Sequence, residues 1–148
     1  MATLKVKIQE DIVLDNQDYG SKRTLEIARI DEVMKRVVTC AASQTTTVLV
    51  FNSNAYGAAG AVDIEDSKYI RITNLDSANA VELAVVGAAT LYQVTLSAGQ
   101  SHVLGSADGL MLAEADTSPS FGTMADLGSI QVNPGGNAVS VEVFVASA

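Results

Sequence analysis

Histidine and cysteine occur once each in this chain, as His102 and Cys40, and tryptophan is absent. A zinc site needs several clustered Cys and His ligands, so structural zinc is excluded, and a lone cysteine forms no internal disulfide. The set Val38-Thr39-Cys40-Ala41 reads as a strand with a small buried thiol. Proline occurs only at Pro119 and Pro134, both inside turn signals, so no predicted strand carries a proline that would protect a sheet edge. No apolar run approaches the ~18 residues of a membrane span. Lys5 and Lys7 interrupt the opening residues before a secretory leader could form, so synthesis in a cytoplasm is expected.

Positive charge is missing from half of the chain. All nine Lys and Arg lie between Lys5 and Arg71, while Ile72 to Ala148 holds seven acids and no Lys or Arg; the net charge is −8. Nucleic acid demands several cations to replace phosphate counterions, and anionic membrane demands a basic patch. Neither partner fits. Within the cationic stretch, Lys22, Arg23, Lys35 and Arg36 are the candidate partner contacts.

What remains is abundant in small and β-branched residues. The 148 residues are 48% apolar and 18% charged, which suits one folded domain. Turn signals recur at short intervals: Asp15 to Gly20, Asn52 to Gly60, Asn74 to Asn79, Ser97-Ala98-Gly99, Gly105 to Gly109, Ser118-Pro119 and Asn133 to Asn137. Between them the pattern alternates with a period of two. Leu4, Val6 and Ile8 share a face, Ile70 and Ile72 oppose Tyr69, Arg71 and Thr73, and Val139, Val141, Val143 and Val145 oppose Ser140, Glu142 and Phe144. Thr46 to Phe51 reads as a more fully buried strand. Leu25 to Ala41 fits both a helix and a strand period; the surrounding strands favour two strands about a bend near Asp31-Glu32. The predicted fold is all-β, an antiparallel, jelly-roll-like β-sandwich in a single compact domain, with residues 1–32 as a possible N-terminal strand or arm and 33–148 as the sandwich body.

No catalytic set emerges. Ser101 and His102 are adjacent on a predicted strand and point to opposite faces, and no Gly-x-Ser-x-Gly elbow occurs. No Gly-Lys-Ser/Thr or Gly-x-Gly-x-x-Gly phosphate loop is present. Glu10, Asp11, Asp15 and Asp18, and then Asp63, Glu65 and Asp66, are acidic groups that match no calcium loop and read as solvated turns. Catalytic, cofactor and metal residues are therefore expected to be absent, and the chain is expected not to be an enzyme.

Arg36-Val37-Val38-Thr39 and Thr45 to Phe51 lead into Lys68-Tyr69-Ile70-Arg71-Ile72-Thr73-Asn74-Leu75-Asp76. This run, followed by Asn79-Ala80-Val81-Glu82-Leu83, by Leu96-Ser97-Ala98-Gly99-Gln100 and by Val139 to Val145, resembles small β-sandwich virion proteins of tailed bacteriophages. The resemblance spans most of residues 33–145 and is one of pattern, without a diagnostic motif. It implies a structural role in a virion, with capsid decoration (cement) as the leading expectation. The implied partners are other virion proteins, the major capsid protein among them, and further copies of the chain, a trimer being favoured. A receptor- or glycan-binding module of a tail or fibre is the alternative, for which exposed aromatics near Tyr56 and Phe121 would speak. A carboxylate enzyme is the third class.

Overall fold

The computed structural model describes residues 1–54, 61–115 and 121–148. Among them there is no helix, and so none long and apolar enough to cross a membrane. The strands are β1 (Ala2–Glu10), β2 (Val13–Leu14), β3 (Gln17–Asp18), β4 (Ser21–Ile30), β5 (Glu32–Cys40), β6 (Thr46–Asn52), β7 (Val62–Asp63), β8 (Ser67–Asn74), β9 (Val81–Gly87), β10 (Leu91–Leu96), β11 (Ser101–Leu104), β12 (Met111–Leu112), β13 (Met124–Ala125), β14 (Leu127–Asn133) and β15 (Val139–Ser147). The turn signal at Ser118-Pro119 lies outside the described residues.

Two sheets form the body. The front sheet runs β11-β8-β15-β5 and the back sheet β10-β9-β14-β6, with short β7 added in parallel beyond β6. Taken in chain order, the eight long body strands place the first, eighth, third and sixth in the front sheet. The second, seventh, fourth and fifth make the back sheet. That interleaving is the jelly-roll order, in which the chain crosses between sheets so that most neighbours are distant in sequence. The expected antiparallel sandwich is thus present, and its jelly-roll character is visible strand by strand.

Alternation explains the core. Val139, Val141, Val143 and Val145 on β15 are all at most 1% exposed, and β15 lies between β8 and β5. They meet Ile70 and Ile72 of the same sheet and Val81, Leu83, Val85, Ile130 and Val132 of the other. Among the described residues, Phe51 is the one aromatic ring buried in this main core cluster, with half-buried Tyr92 packed against it. Packing therefore rests on close fitting of branched aliphatic side chains, each worth ~1.5–3 kcal/mol when fully buried.

The ambiguous segment resolves into strands β4 and β5, broken at Asp31, whose N–H donates to the Ser147 carbonyl at 3.0 Å. Upstream, β1 pairs with β4 and β2 with β3, so residues 2–30 form one long hairpin outside the two body sheets. Its tip is a two-residue turn in which Asp15 and Asn16 both take positive φ, 51° and 65°. Short polar side chains tolerate that conformation, and such a turn follows the strand twist. At the root a bulge shifts the register between Ala2 and Leu4, opposite Arg29 with φ 64°.

Candidate functional site

Both open edges of the sandwich are closed from within. At one edge β5 belongs to the front sheet and β6 to the back; Arg36 shares its face with the core residue Val143, and its guanidinium donates to the Val48 carbonyl on β6. An inward-pointing charge of this kind also discourages another strand from pairing there. At the other edge, Tyr92 of β10 and His102 of β11 meet across the sheets, hydroxyl to Nε2 at 2.8 Å. Burial holds the His102 imidazole below its ordinary pKa and the Tyr92 phenol above its own. Ser101 points the other way, to Thr73 Oγ1 at 2.7 Å, so the serine and histidine are not brought together. Cys40 is buried in the core, which raises its thiol pKa, and it lies apart from the Tyr92–His102 pair on the opposite edge strand.

The acidic groups act in turns. Asp18 Oδ1 accepts the Gly20 N–H at 2.8 Å, Glu10 accepts the Ser21 hydroxyl at 2.6 Å, and Asp63 Oδ1 accepts the Glu65 N–H at 3.0 Å. Among the described residues, no group of three or more His, Cys, Asp or Glu is placed to hold a metal ion. Asp76 carries a lowered pKa because the Asn79 and Ala78 N–H groups donate to it, which is again turn chemistry.

The Lys68 to Asp76 run acts structurally. Asn74 at the end of β8 is fully buried. Its side-chain amide donates to the carbonyls of Asn79 at 2.8 Å and Leu96 at 3.1 Å, while its Oδ1 accepts the Asp76 N–H at 2.9 Å. Its backbone binds Gln100 and Gly99. One residue thus ties the end of β8 to the start of β9 and to the β10–β11 turn. That junction joins the Thr73-Asn74 and Leu96 to Gln100 segments. Ser67 makes a similar clip, donating to the Ile64 carbonyl and accepting the Ala107 N–H, each at 2.9 Å.

The outer face of the front sheet carries Arg71 and Lys35 on either side of Glu142, at 2.5 and 3.5 Å. Arg71 also stacks over Phe144, 5.6 Å from its ring centre, and Phe144 meets Tyr69 edge to face at 5.9 Å. The root of the hairpin packs here: Leu4, Val6, Ile27 and Ile30 cover Tyr69, Phe144 and Ala146. Between hairpin and sheet runs an apolar groove of about 620 Å³, lined by Val6, Ile8, Leu25, Ile27, Tyr69 and Val103 among others.

Beyond the root, the hairpin is uncovered. Register places Leu4, Val6, Ile8, Leu25 and Ile27 on one face, yet Ile8 and Leu25 are 59% and 56% exposed. Ile12, Val13, Leu14 and Tyr19 at the tip are more than half exposed as well. The four candidate contacts divide accordingly. Lys22 and Arg23 stand exposed on the distal part of β4. Lys35 is tied to Glu142 and Arg36 is turned inward. Sequence reasoning found the Leu4, Val6, Ile8 face but not its partner strand, because pairing across the Asp15–Gly20 turn requires knowing that the two runs are in register. Phe121 is fully exposed on the loop between β12 and β13; Tyr56 lies outside the described residues.

The class defined by these features is a jelly roll bearing a projecting, partly apolar N-terminal hairpin. No protein family and no curated protein matches the chain. Among solved structures it is similar to one described as "Bacillus endospore appendages form a novel family of disulfide-linked pili", with 10% identity and a TM-score of 0.42, covering 83% of this chain and 94% of that one. A likeness at that level carries no argument about role.

Proposed function

We propose that the chain is a non-enzymatic structural protein of a phage particle, a capsid decoration protein in its most specific form. The observation that carries the reading is the hairpin. A two-stranded ribbon is marginal in water on its own, and this one holds out Ile8, Ile12, Val13, Leu14, Tyr19 and Leu25 at more than half exposure. An exposed apolar surface of that kind marks a contact for another macromolecule. Among the described residues no buried polar side chain lacks a hydrogen-bond partner, and Asn74, Ser67, Arg36 and His102 are engaged in clips and sheet-edge links, which supports a scaffold rather than a site of turnover. The phage assignment adds the resemblance of the β8–β9, β10–β11 and β15 segments to virion sandwich proteins.

The test is co-sedimentation of the purified protein with tailed-phage capsids lacking a decoration protein. The reading expects saturable attachment at a fixed number of copies per capsid. It also expects charge reversal at Lys22 and Arg23 to weaken that attachment. Absence of attachment at every salt concentration would contradict it.

A further inference from the structure

The front sheet ends in a free backbone edge. Among the described residues β11 pairs with β8 alone. At the foot of β11 the Asn74 N–H donates to the Gln100 carbonyl at 2.9 Å. In an antiparallel ladder the backbone groups of successive residues alternate between the partner and the open side. Counting from Gln100, His102 and Leu104 turn theirs to β8, while Ser101 and Val103 turn theirs outward, where no further described strand is paired. The side chains alternate as well. Val103 lies opposite Arg71, on the outer face, and is 49% exposed. His102 faces the interior, where Tyr92 holds it. The inner side of this edge is thus closed, and its backbone and outer face are open.

The groove under the hairpin reaches this edge. Ile8 and Leu25 of the hairpin and Tyr69 and Val103 of the sheet are among its walls. Arg23 and Lys68 line it too, and no Asp or Glu does. Register places Arg23 across from Ile8, on the hairpin face turned to the sheet. Neither cation has an ion-pair partner among the described residues; Lys68 donates to the Glu65 carbonyl at 2.7 Å. Glu10, the next acid on that hairpin face, accepts the Ser21 hydroxyl and lies outside the lining. In a chain of net charge −8 the groove is therefore a local site of positive charge.

We propose that the β11 edge and the groove together take an extended peptide segment of a partner protein, apolar at alternate positions and carrying a carboxylate. For the partner being a virion protein, the inference rests on the function proposed above. The segment pairs with Ser101 and Val103 as an added strand, ~4.8 Å beyond β11. Cross-strand neighbours share a face, so its side chains beside Val103 enter the groove toward Ile8 and Leu25. Its carboxylate meets Arg23 and Lys68. A small apolar anion would use the groove and the cations and leave the outward backbone groups unmet; a peptide uses all three.

The test uses the full chain and labelled peptides of about eight residues that alternate Val and Thr, each with one Asp at a different position. A matching set carries Lys in place of Asp. Fluorescence polarisation should show saturable binding of at least one Asp peptide, with its Lys counterpart weaker on the order of tenfold. Val103→Pro removes an outward N–H and spares the ladder to β8, a place where edge strands accept proline. It should weaken binding on the order of tenfold, whereas Val103→Ile should not. Arg23→Glu with Lys68→Glu should reverse the preference, so that Lys peptides bind better, and this pair decides the matter if Val103→Pro does not fold. No binding of any Asp peptide, equal binding of both sets, unchanged binding by folded Val103→Pro, or no reversal in the charge variant would each overturn the proposal. Capsid co-sedimentation runs in parallel. Peptide binding without capsid attachment supports the peptide site and counts against the phage reading, and capsid attachment without peptide binding does the opposite.

Discussion

Arg36 and His102 stand at opposite open edges of the sandwich, and each solves the problem of a polar side chain aimed at an apolar interior. Arg36 finds a carbonyl of the facing sheet. His102 finds the Tyr92 hydroxyl, and its imidazole is held below its ordinary pKa by burial. The sign of the consequence follows from linkage. The unfolded chain takes up a proton near pH 6.5, whereas the folded chain resists until lower pH. Stability is therefore full above about pH 6.5 and declines as pH falls from there toward the folded pKa. His102 is the only histidine, so one substitution removes the imidazole contribution in this window. His102→Gln keeps a hydrogen-bonding side chain and removes the titration. Melting temperature measured from pH 7.5 to 5.5 should fall less steeply in the variant, and equal slopes would refute the assignment. The inward aim of Arg36 was readable in principle, since it shares parity with Met34 and Val38. What the pattern could not supply was its acceptor, which lies on a strand of the other sheet. The same holds for Asn74: its place at the end of the Tyr69 to Thr73 alternation is legible, but its burial depends on three segments that converge only in the fold.

At the level of the element, β15 shows how far alternation reaches. Val139, Val141, Val143 and Val145 were assigned to one buried face from period two alone, and all four are at most 1% exposed between β8 and β5. Val141→Asp would bury a carboxylate with no partner, at a cost of several kcal/mol against a total stability of ~5–15 kcal/mol. The variant should fail to accumulate as soluble folded protein. Recovery of soluble protein with an unchanged melting curve would show that the residue does not face the core. The strand break at Asp31 was likewise legible, because Leu25 and Ile27 fit a strand period before two acids and Val37-Val38-Thr39 is a β-branched run after them. The hairpin was not. Its strands look like ordinary half-buried strands, and only the fold reveals that Ile8 and Leu25 of the distal hairpin stand over an open groove instead of packing on the sheet. The jelly-roll interleaving was open only as a class, since strand order is set by pairings between residues far apart in sequence.

The whole molecule divides into a sandwich whose buried polar side chains all have hydrogen-bond partners among the described residues and a hairpin whose distal apolar side chains stand exposed. This asymmetry supports the proposed function, with the hairpin as the contacting element. It leads to a defined pattern of backbone protection. A ribbon with both long edges unpaired and its apolar face in water opens readily, so its amides exchange fast unless something covers them. The most direct measurement is hydrogen–deuterium exchange of the intact protein, alone and with tailed-phage capsids lacking a decoration protein, followed by peptide. The account predicts that residues 5–9 and 22–26 of the hairpin exchange fast in the isolated chain and become protected on the capsid, while β8, β9, β14 and β15 stay protected throughout. Exchange in the hairpin that is slow in the isolated chain, or unchanged by capsids, would contradict it.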